Sequence, residues 1–179
     1  KAVVDIAWEN LTVPAKWLTP DYPPFAPYID GAADLFAKYD TLEYNLDKSA
    51  ATMTAAGYTK SGEFWLDKTG KPITVDLVIR QGEADQVRMA PVITQLLRKA
   101  GFDANFQLTD TAAYGDALNS GRADAWLDVS CGGISDPYNT VELYHSRNAA
   151  PVGELATGAR TRWANKDYDA IVDLMAVTA

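Results

Sequence analysis

Apolar positions along this chain follow two rhythms, and the way they alternate predicts the architecture. Residues 73–79 form a compact apolar run that reads as a strand. Residues 83–100 follow with Met89, Ile93, Leu96, Leu97 and Ala100 on one helical stripe, closed by Gly101. Residues 103–108 alternate Ala104, Phe106 and Leu108 against Asp103, Asn105 and Gln107, the period of a strand with one buried face. A second helix is expected over 111–120, stopped by Gly121, and a third strand over 123–129. Strand, helix, strand, helix, strand in this order predicts parallel strands joined by right-handed crossovers. The expected fold class is therefore α/β, with βαβ units and helices on both faces of a mostly parallel sheet.

The flanking segments are shorter. Residues 47–56 suit a helix with Asp47 as its N-cap and Gly57 as its stop. Residues 64–66 and 72–75 flank Asp67-Lys68-Thr69-Gly70, which reads as a hairpin turn. Residues 139–144 are expected to be briefly helical. Asn165 should cap a last helix with Tyr168, Ile171, Val172 and Met175 inward. At the other end, residues 3–11 suit the end of a helix. Residues 13–30 carry Pro14, Pro20, Pro23, Pro24 and Pro27, which forbid helix and ladder alike. Trp17, Tyr22, Phe25 and Tyr28 in the same stretch argue for an ordered loop packed over a core, because disordered linkers are poor in aromatics.

Open parallel sheets place ligands beyond the carboxyl ends of their strands. That rule draws attention to residues 123–146, ADAWLDVSCGGISDPYNTVELYHS, where a strand breaks into the small residues Ser130-Cys131-Gly132-Gly133. It also puts Arg80-Gln81-Gly82-Glu83, after the first strand, at the same edge, with Asp85 just beyond. Tyr114 opens the helix after the second strand and is expected at the ligand edge, either stacking on a ligand or packing with Ala117 and Leu118. Asp128, at the ligand end of its strand, is expected as a salt bridge or a charge on the cleft rim.

Composition narrows the classes. With 179 residues, 47% apolar and 22% charged, the chain is ordinary for one globular domain with a real core. A net charge of -8 argues against a nucleic-acid partner, whose phosphates need Lys and Arg. No apolar run approaches the ~20 residues that span a bilayer. One histidine and one cysteine exclude a His-based metal cluster and an intramolecular disulfide. The chain starts without Met and ends without a C-terminal cap, so both ends are expected to be cuts within a longer chain.

Catalytic patterns are weak. Ser-Cys-Gly-Gly lacks the spacing of dinucleotide and Walker loops. Cys131 and His145 form a conceivable nucleophilic pair, but a buried apolar Cys and a helix-capping His explain them more simply. Asp124, Asp128 and Asp136 are three carboxylates near one strand end, a pattern that can do paired acid–base work, and Asp124 and Asp128 share strand parity. Asp136, before Pro137, is a turn former.

Taken together, several segments resemble the family 5 extracellular solute-binding proteins, the dipeptide, oligopeptide and nickel receptors of ABC importers. YNLDKSAATMTAAGY resembles the family's Tyr-Asp-Pro-x-Lys-Ala helix, and FWLDKTGKPITVDLVI its Asp-Lys-x-Gly-Lys-Pro hairpin and strand. PVITQLLRKAGFDANFQLTDTAAYGDAL resembles its long helix, Gly-hydrophobic step, strand and aromatic-bearing helix. SDPYNTVELYHS resembles its Asp-Pro-x-Asn loop with terminal His-Ser, and RWANKDYDAIVDLM its Asn-Pro-x-Asp-Ala helix. The motifs occur in the family's order along nearly the whole chain.

The resemblance implies a lobe of the type II periplasmic-binding fold, residues 1–179 being a C-terminal lobe that lacks its N-terminal partner. It implies capture of an oligopeptide-like solute, or alternatively an oligosaccharide, for an ABC permease, without catalysis and without a cofactor. It implies a periplasmic or a lipid-anchored extracellular location. Arg80, Gln81, Glu83, Asp85, Tyr114, Asp128, Ser130, Cys131, Gly132, Gly133, Ile134 and Ser135 are the implied ligand-binding residues. Peptide-binding members commonly carry an Asp, partner of the peptide α-ammonium, at the position occupied here by Gly133, and a loop aromatic where Ser130 stands. Those departures favour a neutral ligand. Other classes are a hydrolase using Asp124 and Asp128 or Cys131, and a pure interaction module. An isolated lobe is also expected to bind weakly and to self-associate through its uncovered surface.

Overall fold

The computed structural model describes residue 38, residues 44–128 and residues 137–178. The expected N-terminal helix end at 3–11, the proline-rich stretch at 13–30, and Ser130, Cys131, Gly132, Gly133, Ile134 and Ser135 lie outside the described residues. The chain divides into two compact units. The first takes residues 44–114 and 124–127 of those described, and the second takes 38, 115–123, 128 and 137–178.

The first unit is built outward from β3 (Thr74–Arg80). Leu77, Val78 and Ile79 are buried in succession, which requires cover on both faces and marks a central parallel strand. β4 (Asp103–Thr109) pairs with it in parallel along its whole length, from Thr74 opposite Asp103 to Arg80 opposite Thr109. β5 (Ala125–Trp126) pairs in parallel on the other side, giving the order β4-β3-β5. The expected parallel βαβαβ unit is present. Its third strand is shorter than 123–129, and the reason is local. Asp124 Oδ2 accepts the Asp76 amide at 3.0 Å, taking a bond a longer ladder would have used.

α2 (Ala84–Ala100) covers this sheet and stops at Gly101, whose φ of 99° suits a residue without Cβ. Its deepest line is Gln86, Ala90 and Thr94, four residues apart, with Ala90 packed on Leu77 and Ile79. The expected stripe of Met89, Ile93, Leu96, Leu97 and Ala100 is only half-buried. The smallest side chain of the contact line lets the helix axis approach the sheet, and the larger ones flank it. On β4, Ala104 is buried as expected, whereas Phe106 and Leu108 are exposed. Among the described residues β4 is the edge of this sheet, and α2 reaches it at its start, where Arg98 Nε donates to the Ala104 carbonyl at 2.7 Å.

Before the sheet, α1 (Leu46–Ala55) is capped by Asn45 and not by Asp47. Asn45 has the extended backbone a cap needs, and its Oδ1 accepts the Lys48 amide at 2.9 Å, while Asp47 sits inside the first turn. An antiparallel pair, β1 (Thr59–Ser61) with β2 (Phe64–Leu66), was not expected from the sequence. The Asp67 turn is as expected and closes on a single bridge between Leu66 and Pro72. Asp67 Oδ1 accepts from the Lys71 and Thr69 amides and the Thr69 hydroxyl. The Lys71 amide bond, with the Thr69 hydroxyl next, holds that carboxyl below its usual range. Trp65 is buried, and its Nε1 donates to the Ala100 carbonyl at 2.8 Å, fixing the hairpin to the end of α2.

α3 (Thr111–Ser120) starts in the first unit, where Asp110 Oδ1 accepts the Ala112 and Ala113 amides, and continues into the second. Within the second unit, α4 (Tyr138–Val141) runs into a 3-10 turn over Glu142–Tyr144, the short helical segment foreseen. α5 (Lys166–Thr178) is capped by Asn165, whose Oδ1 accepts the Asp167 and Tyr168 amides. Its inward arc is Tyr168, Asp169, Val172 and Met175. Ile171, expected inward, is exposed because Asp169 is the residue drawn in.

Candidate functional site

The carboxyl end of β3 builds the clearest candidate site in the first unit. β3 ends at Arg80, and the chain turns there. The Gln81 amide donates to the Thr109 carbonyl of β4 at 2.9 Å, and the Glu83 amide donates back to the Arg80 carbonyl at 3.1 Å. Glu83 is the N-cap residue of α2 but makes no side-chain cap bond; its carboxylate faces Arg80 Nη1 at 3.4 Å instead. Asp85 is exposed in the first turn of α2, where the helix dipole favours its charge.

Tyr114 meets Arg80 from the start of α3. The Arg80 guanidinium carbon lies 4.6 Å from the ring centre, a cation–π arrangement. Tyr114 itself is 1% exposed, and its hydroxyl donates to the Leu127 carbonyl just after β5. The ring expected at an open ligand edge is thus a buried platform. It carries Arg80 on its face and ties the ends of β3 and β5 together. Arg80, Gln81, Glu83 and Tyr114 are brought together as the strand-end rule anticipates.

In the second unit Asp128 pairs with Arg160, whose Nη1 donates to Asp128 Oδ2 at 2.8 Å. This is the salt bridge anticipated for Asp128, with a partner the sequence reading missed. Arg160 is held in turn, its Nε donating to Asn119 Oδ1 at 2.9 Å. Arg162 fixes the backbone behind it. With φ of 55°, Arg162 aims its guanidinium at the end of α3, donating from Nη1 to the Arg160 carbonyl at 2.7 Å. From Nη2 it donates to the Asn119 carbonyl at 2.8 Å and the Glu154 carbonyl at 3.1 Å. Gly121 makes room for it, since a Cβ there would collide with this guanidinium. Two arginines flanking one residue after Gly158 were the only sequence signal of this arrangement.

Two of the remaining chemical candidates, Asp124 and His145, resolve into structure, while Cys131 and Asp136 lie outside the described residues. Asp124 is engaged with the Asp76 amide. His145 is 8% exposed and caps the 3-10 turn over Ser146–Asn148 through Nδ1, which accepts the Arg147 amide at 3.0 Å. Its Nδ1 is 3.4 Å from Asp169 and its Nε2 3.3 Å from Asp173. Ser146 donates its amide to Asp169 Oδ1 at 2.9 Å and its hydroxyl to Oδ2. The Ser146 hydroxyl, then its amide, holds the Asp169 carboxyl below its usual range. The Asp169 and Asp173 contacts thus dock this turn onto α5. Among the described residues no group of three or more His, Cys, Asp and Glu side chains is placed to hold a metal ion.

Residues 1–151 match the sequence model of a family described as bacterial extracellular solute-binding proteins, family 5 (middle region). No curated protein matches the chain. Among solved structures, the chain superposes with a TM-score of 0.77 on a periplasmic oligopeptide-binding protein of an ABC transporter from Thermotoga maritima, solved with mannohexaose bound. The identity is 20%, over 99% of this chain and 33% of that one. NikA from Brucella suis, in complex with Fe(III)-EDTA, gives a TM-score of 0.55 at 23% identity over 73% of this chain and 26% of its own. MelB from Agrobacterium fabrum, in complex with stachyose, gives 0.55 at 16% identity over 74% and 21%. At these identities the likeness establishes the fold, and the chain spans about a third or less of each of these proteins.

Proposed function

The chain belongs to the bacterial extracellular solute-binding proteins, family 5, and we propose from that premise that it is a lobe of an ABC importer's receptor. The receptor captures an oligopeptide-like solute and delivers it to a membrane permease without chemical turnover. It works outside the cytoplasmic membrane, in the periplasm or held by a lipid anchor. The observation that carries this reading is the parallel set β4-β3-β5, at whose carboxyl end Arg80 lies over the Tyr114 platform and pairs with Glu83. Ligands of open α/β sheets bind at that end. Arg80, Gln81, Glu83, Asp85 and Asp128, with Ser130, Cys131, Gly132, Gly133, Ile134 and Ser135, are the proposed solute contacts. The rest of the receptor supplies the opposing lobe, and hinge closure buries the solute between them.

A second reading, an oligosaccharide as solute, is favoured by one specific observation. Asp128 is already neutralised by Arg160, so it is poorly suited to hold a peptide α-ammonium. The test for both readings is a thermal-shift screen of the complete receptor against peptides, oligosaccharides and nickel, since a ligand bound only by the native state raises stability by mass action. A receptor shifts with at least one class. Hydrolysis of such a solute, abolished by Asp128→Asn or Cys131→Ala, would replace this reading with the enzymatic one.

A further inference from the structure

We propose that the groove between α2 and β4 is a second binding site, for a small organic acid that carries a carboxylate on an apolar or aromatic body. The site lies wholly within the first unit and does not depend on the receptor reading above. On the β4 side it sits at mid-strand, where Asn105 and Phe106 stand opposite Asp76 and Leu77 of β3. Its other wall is the C-terminal half of α2. The group around Arg80 belongs instead to the carboxyl end of β3 and the start of α2.

Pro91, Thr94, Gln95 and Arg98 line the groove from α2, and Asn105 and Phe106 line it from β4, around a volume of about 270 Å³. That is just under the ~300 Å³ at which pockets for drug-sized molecules begin, so the ligand is small. The four α2 residues share one face of the helix, and at ~1.5 Å per residue Pro91 and Arg98 stand about 10 Å apart along it. The two ends differ in chemistry. Arg98 is bonded at the start of β4, through Ala104. Phe106 lies further along the strand, toward Pro91, because a crossover helix runs back against its strands. Phe106 is 39% exposed and offers an uncovered ring to an apolar body.

Arg98 is held in place without being neutralised. Its Nε donates to the Ala104 carbonyl at 2.7 Å and its Nη2 to Asn105 Oδ1 at 2.8 Å, which leaves Nη1 to donate elsewhere. Among the described residues no carboxylate pairs with it. A guanidinium oriented in advance suits a carboxylate, which accepts short charge-assisted bonds from it. Thr94 is an independent sign of a ligand. It is 5% exposed, and its hydroxyl has no hydrogen-bond partner among the described residues. Thr52, Thr54 and Thr178 each donate to the carbonyl one turn back, the usual outlet for a helical threonine. A buried hydroxyl without a partner is costly. Thr94 and Arg98 are one turn apart on the same face, so a single carboxylate can accept from both.

The complete protein and its Arg98→Gln, Arg98→Lys and Phe106→Ala variants are titrated with para-fluorophenylpropanoate by fluorine NMR, with para-fluorophenylpropanol as the neutral counterpart. The wild type should bind the acid with a dissociation constant of about 1 mM or lower, and the alcohol at least about ten-fold more weakly. Arg98→Gln should lose about ten-fold for the acid and nothing for the alcohol. Arg98→Lys keeps the charge but not the fork, and should lose about three-fold for the acid. Phe106→Ala, at an exposed position, should lose about five-fold for both. Melting curves check that each variant is folded; if Arg98→Gln is not, Phe106→Ala and the acid-to-alcohol ratio of the wild type decide. No binding of the acid by the wild type, equal affinities for acid and alcohol, unchanged affinities in Phe106→Ala, or a loss in Arg80→Gln as large as in Arg98→Gln overturns the inference.

Discussion

The Arg80 guanidinium carbon stands 4.6 Å from the centre of the Tyr114 ring, and the Tyr114 hydroxyl donates to the Leu127 carbonyl. One buried side chain therefore supports the turn after β3 with its face and the end of β5 with its edge. The two roles separate by substitution. Tyr114→Phe keeps the platform and loses the bond, and should cost about 1 kcal/mol. Tyr114→Ala loses both and should cost about 3–5 kcal/mol. Urea unfolding followed by tryptophan fluorescence reads the difference; equal losses would mean that the ring contributes nothing beyond its hydroxyl.

Gly101 is expected to be intolerant of any side chain. Its φ is 99°, and an added Cβ would lie 2.8 Å from Cδ1 and Nε1 of Trp65. Gly101→Ala should cost roughly 2–4 kcal/mol from left-handed backbone strain plus overpacking. Trp65→Phe, losing the Nε1 bond to Ala100, should cost about 1 kcal/mol or more. Because both changes act on the same contact, the double variant should be less unstable than the sum, measurable as a coupling term in denaturant titrations.

Acid should loosen the turn held by Asp169. Ser146 lowers this carboxyl in the folded state from its ordinary 3.8. A depressed folded pKa gives stability that is present above 3.8 and lost as pH falls through the lower folded value. Asp169→Asn should therefore be less stable than wild type at neutral pH, and the gap should narrow as pH falls below about 4. Thermal melts across pH 2–7 check this; a constant gap would remove Asp169 from the acid response.

Arg162 should matter more to folding than Asp128. Its guanidinium serves four carbonyls, those of Leu118, Asn119, Glu154 and Arg160, so Arg162→Ala should cost about 2–3 kcal/mol. Arg162→Gly loses the same bonds but relieves the backbone at φ 55° and should be milder. Asp128→Asn, in a pair a third exposed, should cost under about 1 kcal/mol. Comparable losses for Asp128→Asn and Arg162→Ala, by chemical denaturation, would show that the Asp128 pair is a folding element.

Much of the βαβαβ frame was legible because it follows from local rules. The runs that became β3, α2, β4 and α3 carry their period and their glycine stops in the sequence, and Asn165 caps α5 as its position suggests. Errors fell where tertiary contact overrides local pattern. Asn45 displaced Asp47 as the cap through a backbone conformation that composition does not reveal. Phe106 and Leu108 alternate like core residues but lie on an edge strand. Ile171 lost its inward place to Asp169, whose partner Ser146 is distant in sequence.

The candidate site divides the same way. The sequence by itself determined which segments end strands, and hence that Arg80, Gln81 and Glu83 gather at one edge, because strand direction and order follow from the alternation of elements. It also determined the family, through motifs whose order runs along the chain. Only the tertiary structure decided what each charge and ring does there. It turned Tyr114 from a ligand face into a buried platform and gave Asp128 its counter-ion in Arg160, far away in sequence. Such pairings depend on distances between atoms that the chain brings together only by folding, and no local period encodes them.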